Sequence, residues 1–141
     1  MPSRPSPSTE VGIEGSNGRP FGRSLHADFY GVPAELCDDL AFCYRLLEDL
    51  VDQLGMHKQS PPFLFHSPAD QFPDKAGLSG WVPLIESGIS IHTLTKKRFV
   101  TIDIYTCGEL AVEQAMAFLA ERLSPESSES HSLIRGIRYH A

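Results

Sequence analysis

Residues 77–108 read GLSGWVPLIESGISIHTLTKKRFVTIDIYTCG, and their patterning decides the fold. Three strand segments follow one another closely: Leu78 to Ile85, Gly88 to Thr93 and Phe99 to Thr106. In the third, Val100, Ile102 and Ile104 alternate with Thr101, Asp103 and Tyr105, the period of two that a half-buried strand requires. The loop Leu94 to Arg98 joins the last two segments as an antiparallel hairpin.

Upstream, Leu25, Ala27 and Phe29 alternate with His26, Asp28 and Tyr30 and predict another strand. Pro33 then opens a helix, where its missing N–H costs nothing. Leu36, Leu40, Cys43, Leu47, Leu50 and Leu54 recur at steps of three and four and form one apolar stripe, with Gly55 at the C-cap. Phe63 to Phe65 is a short strand, and Gln71 to Gly77 a loop. Downstream, Leu110 to Leu123 is a second amphipathic helix. The polar run Ser124 to Ser132 reads as a loop, and Leu133 to Tyr139 as a last strand.

The resulting order, β-α-β-β-β-β-α-β, predicts an α+β fold: an antiparallel sheet with two helices on one face. The second face needs a cover that the chain does not supply. A second copy is the economical one, giving a homodimer built as an α/β/β/α sandwich.

The chain has 141 residues, 41% apolar and 21% charged, enough for one domain with its own core. Acidic residues outnumber basic ones 18 to 12, for a net charge of −6. That argues against nucleic acid and against an anionic membrane surface as partners. No apolar run reaches the ~20 residues of a spanning helix, and residues 1–20 lack the apolar stretch of a signal peptide. Three cysteines without a CxxC pair exclude a disulfide framework, so a cytoplasmic setting is expected. Residues 1–21, rich in Pro, Ser and Gly, read as a disordered tail before a domain over 22–141.

Taken singly, the chemically capable residues have ordinary readings. His92 is a strand histidine, Cys107 a small residue at a strand end, and Ser79 and Ser87 turn serines. The remaining histidines show no metal-ligand spacing, so no metal is expected. Cys37 and Cys43 suit core packing, and Lys96, Lys97 and Arg98 suit a solvated hairpin tip.

Together the central residues resemble the short prokaryotic form of the S-adenosylmethionine decarboxylase family, whose core reads roughly GxSGxxxxxESHxxIHTWPExxxxxxDxxTCG. Ser79, Gly80, Glu86, Ser87, Ile91, His92, Thr93, Asp103, Thr106, Cys107 and Gly108 match in register. Gly22 to Tyr30 also resembles the family's first strand, and the likeness extends to about Leu123.

The resemblance implies a self-processing proenzyme. The Ser87 hydroxyl would attack the Glu86 carbonyl, turning the amide into an ester that β-elimination can break. The residue left at position 87 would become a pyruvoyl group with loss of ammonia. A β chain, 1–86, and an α chain, 87–141, would result. The pyruvoyl ketone, the implied cofactor, would form a Schiff base with the substrate amine and act as electron sink. His92 would be the processing base, Ser79 a support for the attack by Ser87, and Cys107 the proton donor to substrate carbon. Strict alternation puts Ser87 and His92 on opposite faces, so a bulge or twist between them is expected.

The chain departs from the pattern at the substrate pocket. The family's ESH is ESG, with Gly88 for His; its TWPE is TLTK, with Leu94 for Trp and Lys96 for Glu. In the family that Trp helps stack adenine and that Glu accepts hydrogen bonds from the ribose. Losing the stack costs about 0.5–1.5 kcal/mol beyond buried area, and losing a charged hydrogen bond about 1.5–3 kcal/mol. Phe72 stands where the family places one aromatic wall. Some branches of the family act on L-ornithine or L-arginine, which need neither contact but do need an acid for their distal cation. Asp28, Asp70, Asp74 and Asp103 are candidates, Asp28 being nearest the family's active-site edge.

The expected function is a pyruvoyl-dependent decarboxylase of polyamine biosynthesis acting on L-ornithine or L-arginine, to give putrescine or agmatine. The alternatives are an authentic S-adenosylmethionine decarboxylase feeding spermidine synthesis and a non-catalytic relative.

Overall fold

The computed structural model describes residues 9–11 and 18–140. Its elements are β1 (Thr9–Val11), β2 (Gly22–Tyr30), α1 (Ala34–Cys37), α2 (Leu40–Gln53), β3 (Phe63–His66), β4 (Leu78–Leu84), β5 (Ser87–Leu94), β6 (Phe99–Thr106), α3 (Val112–Leu123) and β7 (Ser127–Arg135). A 3-10 turn at Pro73–Lys75 lies between β3 and β4. One sheet of order β1-β7-β2-β6-β5-β4-β3 contains every strand among the described residues. Six strands run antiparallel to their neighbours; β1 alone adds parallel, on β7.

Strand alternation builds a single core. Leu25, Ala27 and Phe29 of β2 lie opposite Ile104, Ile102 and Val100 of β6, and Ile89 and Ile91 of β5 continue the same rows. Cys43, Leu46, Leu47, Leu50 and Val51 of α2 and Ala115, Met116, Leu119 and Leu123 of α3 cover this face. The α+β arrangement with helices on one face is therefore the observed one.

Four details differ from expectation. The helix begun at Pro33 breaks: Asp39 caps a new helix, its carboxylate accepting the Phe42 N–H at 3.0 Å. The buried stripe consequently includes Leu46 and Val51, while Leu40 is 37% exposed. The run read as a loop, Ser124 to Ser132, contributes most of β7, which ends at Arg135 rather than Tyr139. Ser128, Ser130 and Ser132 are buried beside Phe29, Ala27 and Leu25. The periodicity there is carried by small size, which a polarity scan misses. Lastly, Thr9–Val11 within the segment read as a tail forms β1, and residues 1–8 and 12–17 lie outside the described residues.

The face away from the helices carries Phe63 and Phe65 of β3, Trp81 of β4, His92 of β5, Asp103 and Tyr105 of β6, and His26 and Asp28 of β2. This follows from the cross-strand register. Phe63, Phe65 and Trp81 are 48%, 67% and 49% exposed, an apolar patch on an uncovered sheet. Among the described residues no helix is long and apolar enough to cross a membrane.

Candidate active site

Ile85 and Glu86 form the two-residue turn between β4 and β5, with Leu84 paired to Ser87. Ser87 has φ of 149°, a backbone region that a side chain rarely adopts and that marks local strain. The turn is held from two sides. The Cys107 N–H donates to the Glu86 carbonyl oxygen at 2.8 Å, and the Ile85 N–H donates to the His57 carbonyl at 2.9 Å. The Glu86 carboxylate accepts the His57 N–H at 2.9 Å and the His57 Nδ1–H at 2.8 Å. The His57 contacts hold this carboxyl below its ordinary range.

Cys107 follows Thr106, the residue paired with Ser87, so its exposed thiol ends the strand beside the turn. Close approach to β2 requires Gly22, because a Cβ there would lie 1.9 Å from the Thr106 carbonyl oxygen. Burial pushes the other two thiols up, Cys43 to about 12. They are core residues, as their spacing on the sequence suggests.

Beside Ser87 the uncovered face has a cavity of about 340 Å³ lined by Trp81, Ser87, Gly88, Ser90, Asp103 and Tyr105. Asp103 accepts a hydrogen bond from His26 Nδ1 at 3.0 Å, and Arg135 lies over the Tyr105 ring, 4.6 Å from its centre.

Ser79 and His92 sit elsewhere. They pair across β4 and β5, and Ser79 Oγ and His92 Nδ1 share a hydrogen bond of 2.8 Å. Thr93, fully buried, anchors this end: its hydroxyl donates to the Cys37 carbonyl at 2.6 Å and accepts the Leu78 N–H at 2.8 Å. The segment from Phe72 to Lys96 folds back here. The Thr95 N–H donates to the Ala76 carbonyl, and Lys96 Nζ lies 3.6 Å from an Asp74 carboxylate oxygen. Phe72, 55% exposed, precedes the 3-10 turn at the same end.

Ser87 and His92 are thus not neighbours within the chain. The expected bulge does not occur: β5 keeps unbroken register from Ser87 to Leu94 against both neighbours. Five residues of strand separate the two by about 16 Å. Asp28 is in a third place, on β2 beside Glu129 and His131 of β7. Ligand-capable atoms of these three lie within 4.8 Å of one another. Burial, then the neighbouring Glu129 charge, raises the Asp28 pKa. Asp28 does not line the cavity beside Ser87.

The structure therefore brings Glu86, Ser87 and Cys107 together, and separately Ser79 and His92, with Phe72 at the latter pair's end of the sheet. Two residues of the first group escaped the sequence reading. His57 grips Glu86 from 29 residues away and carries no motif. Trp81 occupies an unassigned position of the motif, and only the two-residue spacing from Ser79, which puts both on one strand face, hinted at its place.

The comparisons with known proteins agree with this architecture. The family model described as S-adenosylmethionine decarboxylase matches residues 23–136. An S-adenosylmethionine decarboxylase proenzyme of Thermoplasma acidophilum is 37% identical over 116 residues, covering 82% of this chain and 83% of that protein. A relative of the same description from Archaeoglobus fulgidus is 33% identical, covering 82% and 97%. The crystal structure of the adenosylmethionine decarboxylase from Aquifex aeolicus superposes with a TM-score of 0.72 at 30% identity, covering 84% of this chain and 92% of that one. The chain belongs to the S-adenosylmethionine decarboxylase family of pyruvoyl-dependent decarboxylases, which are made as proenzymes and derive their pyruvoyl group from an internal serine.

Proposed function

We propose that this protein cleaves itself between Glu86 and Ser87 and, as a homodimer, decarboxylates a basic amino acid, L-ornithine or L-arginine. The observation that carries the reading is the turn at Ser87: a strained serine follows a carbonyl whose oxygen already accepts the Cys107 N–H at 2.8 Å. A backbone donor on that oxygen stabilises the charge that develops when a hydroxyl attacks its carbon. The residues present fit a pyruvoyl group at position 87, because the scissile bond lies in a two-residue turn and Ser87 lines a cavity that a substrate can enter.

In the first step Ser87 Oγ bonds to the Glu86 carbonyl carbon and the C–N bond breaks, leaving an ester and a free amine on residue 87. A base then removes the Cα proton, and Glu86 departs as a carboxylate that the Cys107 N–H and the His57 grip retain. The dehydroalanine tautomerises to an imine, which water hydrolyses with release of ammonia. The pyruvoyl group supplies the ketone that withdraws electrons from the substrate as CO₂ leaves. The Cys107 thiol is placed to return a proton to the substrate carbon.

His92 is suited to act as the base. With Nδ1–H donating to Ser79 Oγ, Nε2 keeps its lone pair. The gap of about 16 Å from Ser87 in one chain makes it a base for the other copy. Packing the uncovered faces of two copies about a two-fold axis buries Phe63, Phe65 and Trp81. It also sets the Ser79–His92 pair of one copy against the Ser87 turn of the other. Sheets pack about 10 Å apart, a separation that facing side chains fill.

A basic amino acid is favoured over S-adenosylmethionine by the end that carries Phe72. Leu94 has no ring to stack, and Lys96, near Asp74, offers a donor where a ribose would need an acceptor. Phe72 and Asp28 remain candidate substrate contacts. The names of the relatives favour the second reading, S-adenosylmethionine itself.

Intact mass under denaturing conditions tests the processing: two chains divided at Glu86–Ser87, the second lacking ammonia, are expected, and one full-length chain refutes it. CO₂ release from L-ornithine, L-arginine and S-adenosylmethionine then decides the substrate. Co-expressing Ser87→Ala with His92→Ala tests the shared site. The His92→Ala chain should be cleaved in the mixture, and its failure to cleave would refute a base supplied by the other copy.

A further inference from the structure

We infer that Trp81, folded over Gly88, is a specificity-determining residue that with Asp103 holds the distal ammonium or guanidinium of the substrate chain. The inference rests on the basic amino acid reading above and names the contacts that reading requires.

Gly88 and Trp81 fit one another. A Cβ built on Gly88 would lie 2.8 Å from Trp81 Nε1 and 3.6 Å from its Cε2. The first distance is too short for any side chain, so the family's histidine at this position and the present pose of the indole exclude each other. Phe63 braces the indole, its ring stacked at 18° with centres 6.4 Å apart. Without a side chain at position 88 the indole can lie there, and it forms an aromatic wall beside Ser87.

An acid lines the same cavity: Asp103 borders it with Trp81, and both align with Ser90 in the cross-strand register. The contact with His26 engages Asp103 Oδ1 only, leaving Oδ2 for a cation. A tryptophan face and a carboxylate are the two groups that best hold an ammonium or guanidinium. Tyr105 contributes less, since Arg135 already lies over its ring. Three residues, about 10 Å of strand, separate Ser87 from Ser90. A chain with its α-amine at residue 87 and a cation at its far end spans that distance. At about 340 Å³ the cavity falls within the range of about 300–1,000 Å³ for small-molecule sites.

Trp81 is the sole tryptophan, so intrinsic fluorescence reports on this wall directly. Titrating the cleaved protein with agmatine or putrescine should give a saturable change, and n-butylamine, which lacks the second cation, should give none. In steady-state assays Trp81→Leu should raise KM for the basic amino acid about tenfold, with a smaller change in kcat. Gly88→Ala should do the same by displacing the indole, and the double variant should be no worse than Trp81→Leu. If Trp81→Leu folds poorly, Trp81→Phe, which keeps a ring but not its size, should show an intermediate KM. Turnover of the basic amino acid with KM unmoved in these variants, or an equal response to n-butylamine, overturns this inference and leaves the proposed substrate standing. Turnover of S-adenosylmethionine alone overturns both.

Discussion

Replacing Thr93 by Val tests how the Ser79–His92 pair is held. The side chains are nearly isosteric and valine suits a strand, so only the hydroxyl is at issue. That hydroxyl donates to the Cys37 carbonyl at 2.6 Å and accepts the Leu78 N–H at 2.8 Å. Thr93, Cys37 and Leu78 are each 0% exposed, so no water replaces it. Each stranded backbone group costs about 1–3 kcal/mol, which for two gives a loss near 3 kcal/mol, or roughly two powers of ten in the folding equilibrium. Urea unfolding in a Ser87→Ala background, where every chain is uncleaved, measures it. With a slope of about 2 kcal/mol per molar, the midpoint should fall by about 1.5 M. Thr93→Ser keeps both hydrogen bonds and should lose only about 1 kcal/mol for its missing methyl. Because Leu78 precedes Ser79 and Thr93 follows His92, Thr93→Val with Ser87 intact should also cleave itself more slowly. A Thr93→Val midpoint equal to that of Thr93→Ser would refute this account of the anchor.

Three further outcomes are expected. His92→Ala should stop at the ester stage, so that hydroxylamine splits its chain at residue 86; formation of a normal pyruvoyl group in that variant removes His92 from the mechanism. Ellman's reagent should titrate one thiol per native chain, Cys107, and three after denaturation, because burial raises the pKa of Cys37 and Cys43; fast reaction of a second native thiol would contradict the packing around α2. The depressed Glu86 carboxyl contributes stability that is present above its ordinary value of 4.5 and is lost as pH falls through its lower folded value. In a Ser87→Ala background, which keeps the turn intact, His57→Ala should therefore move the Glu86 titration, followed by NMR, upward toward that ordinary value, and an unmoved midpoint would show that His57 does not hold the turn.

Local patterns carried much of the fold. Alternation over Leu25–Tyr30 and Phe99–Tyr105 and the α2 and α3 stripes each report burial on one side of an element, and that is a local property. Five of the six predicted strands and the two main helices are present close to their predicted bounds, and the sixth is shifted. The break at Asp38–Asp39 was legible in principle, since consecutive aspartates offer a cap. β7 was not, because its buried positions are serines, whose burial depends on what strand lies beside them.

The sequence alone determined the chemistry available: a serine after Glu86, a thiol at Cys107, a Ser79–His92 spacing, and the absence of an aromatic and an acid at Leu94 and Lys96. It could not say which of these meet, because contact between strands depends on register and on the path of the chain between them. Only the tertiary structure put Cys107 N–H on the Glu86 carbonyl, His57 on the Glu86 carboxylate and Trp81 over Gly88. It also held His92 away from Ser87, because β5 is a straight strand and an extended backbone cannot bring its two ends together.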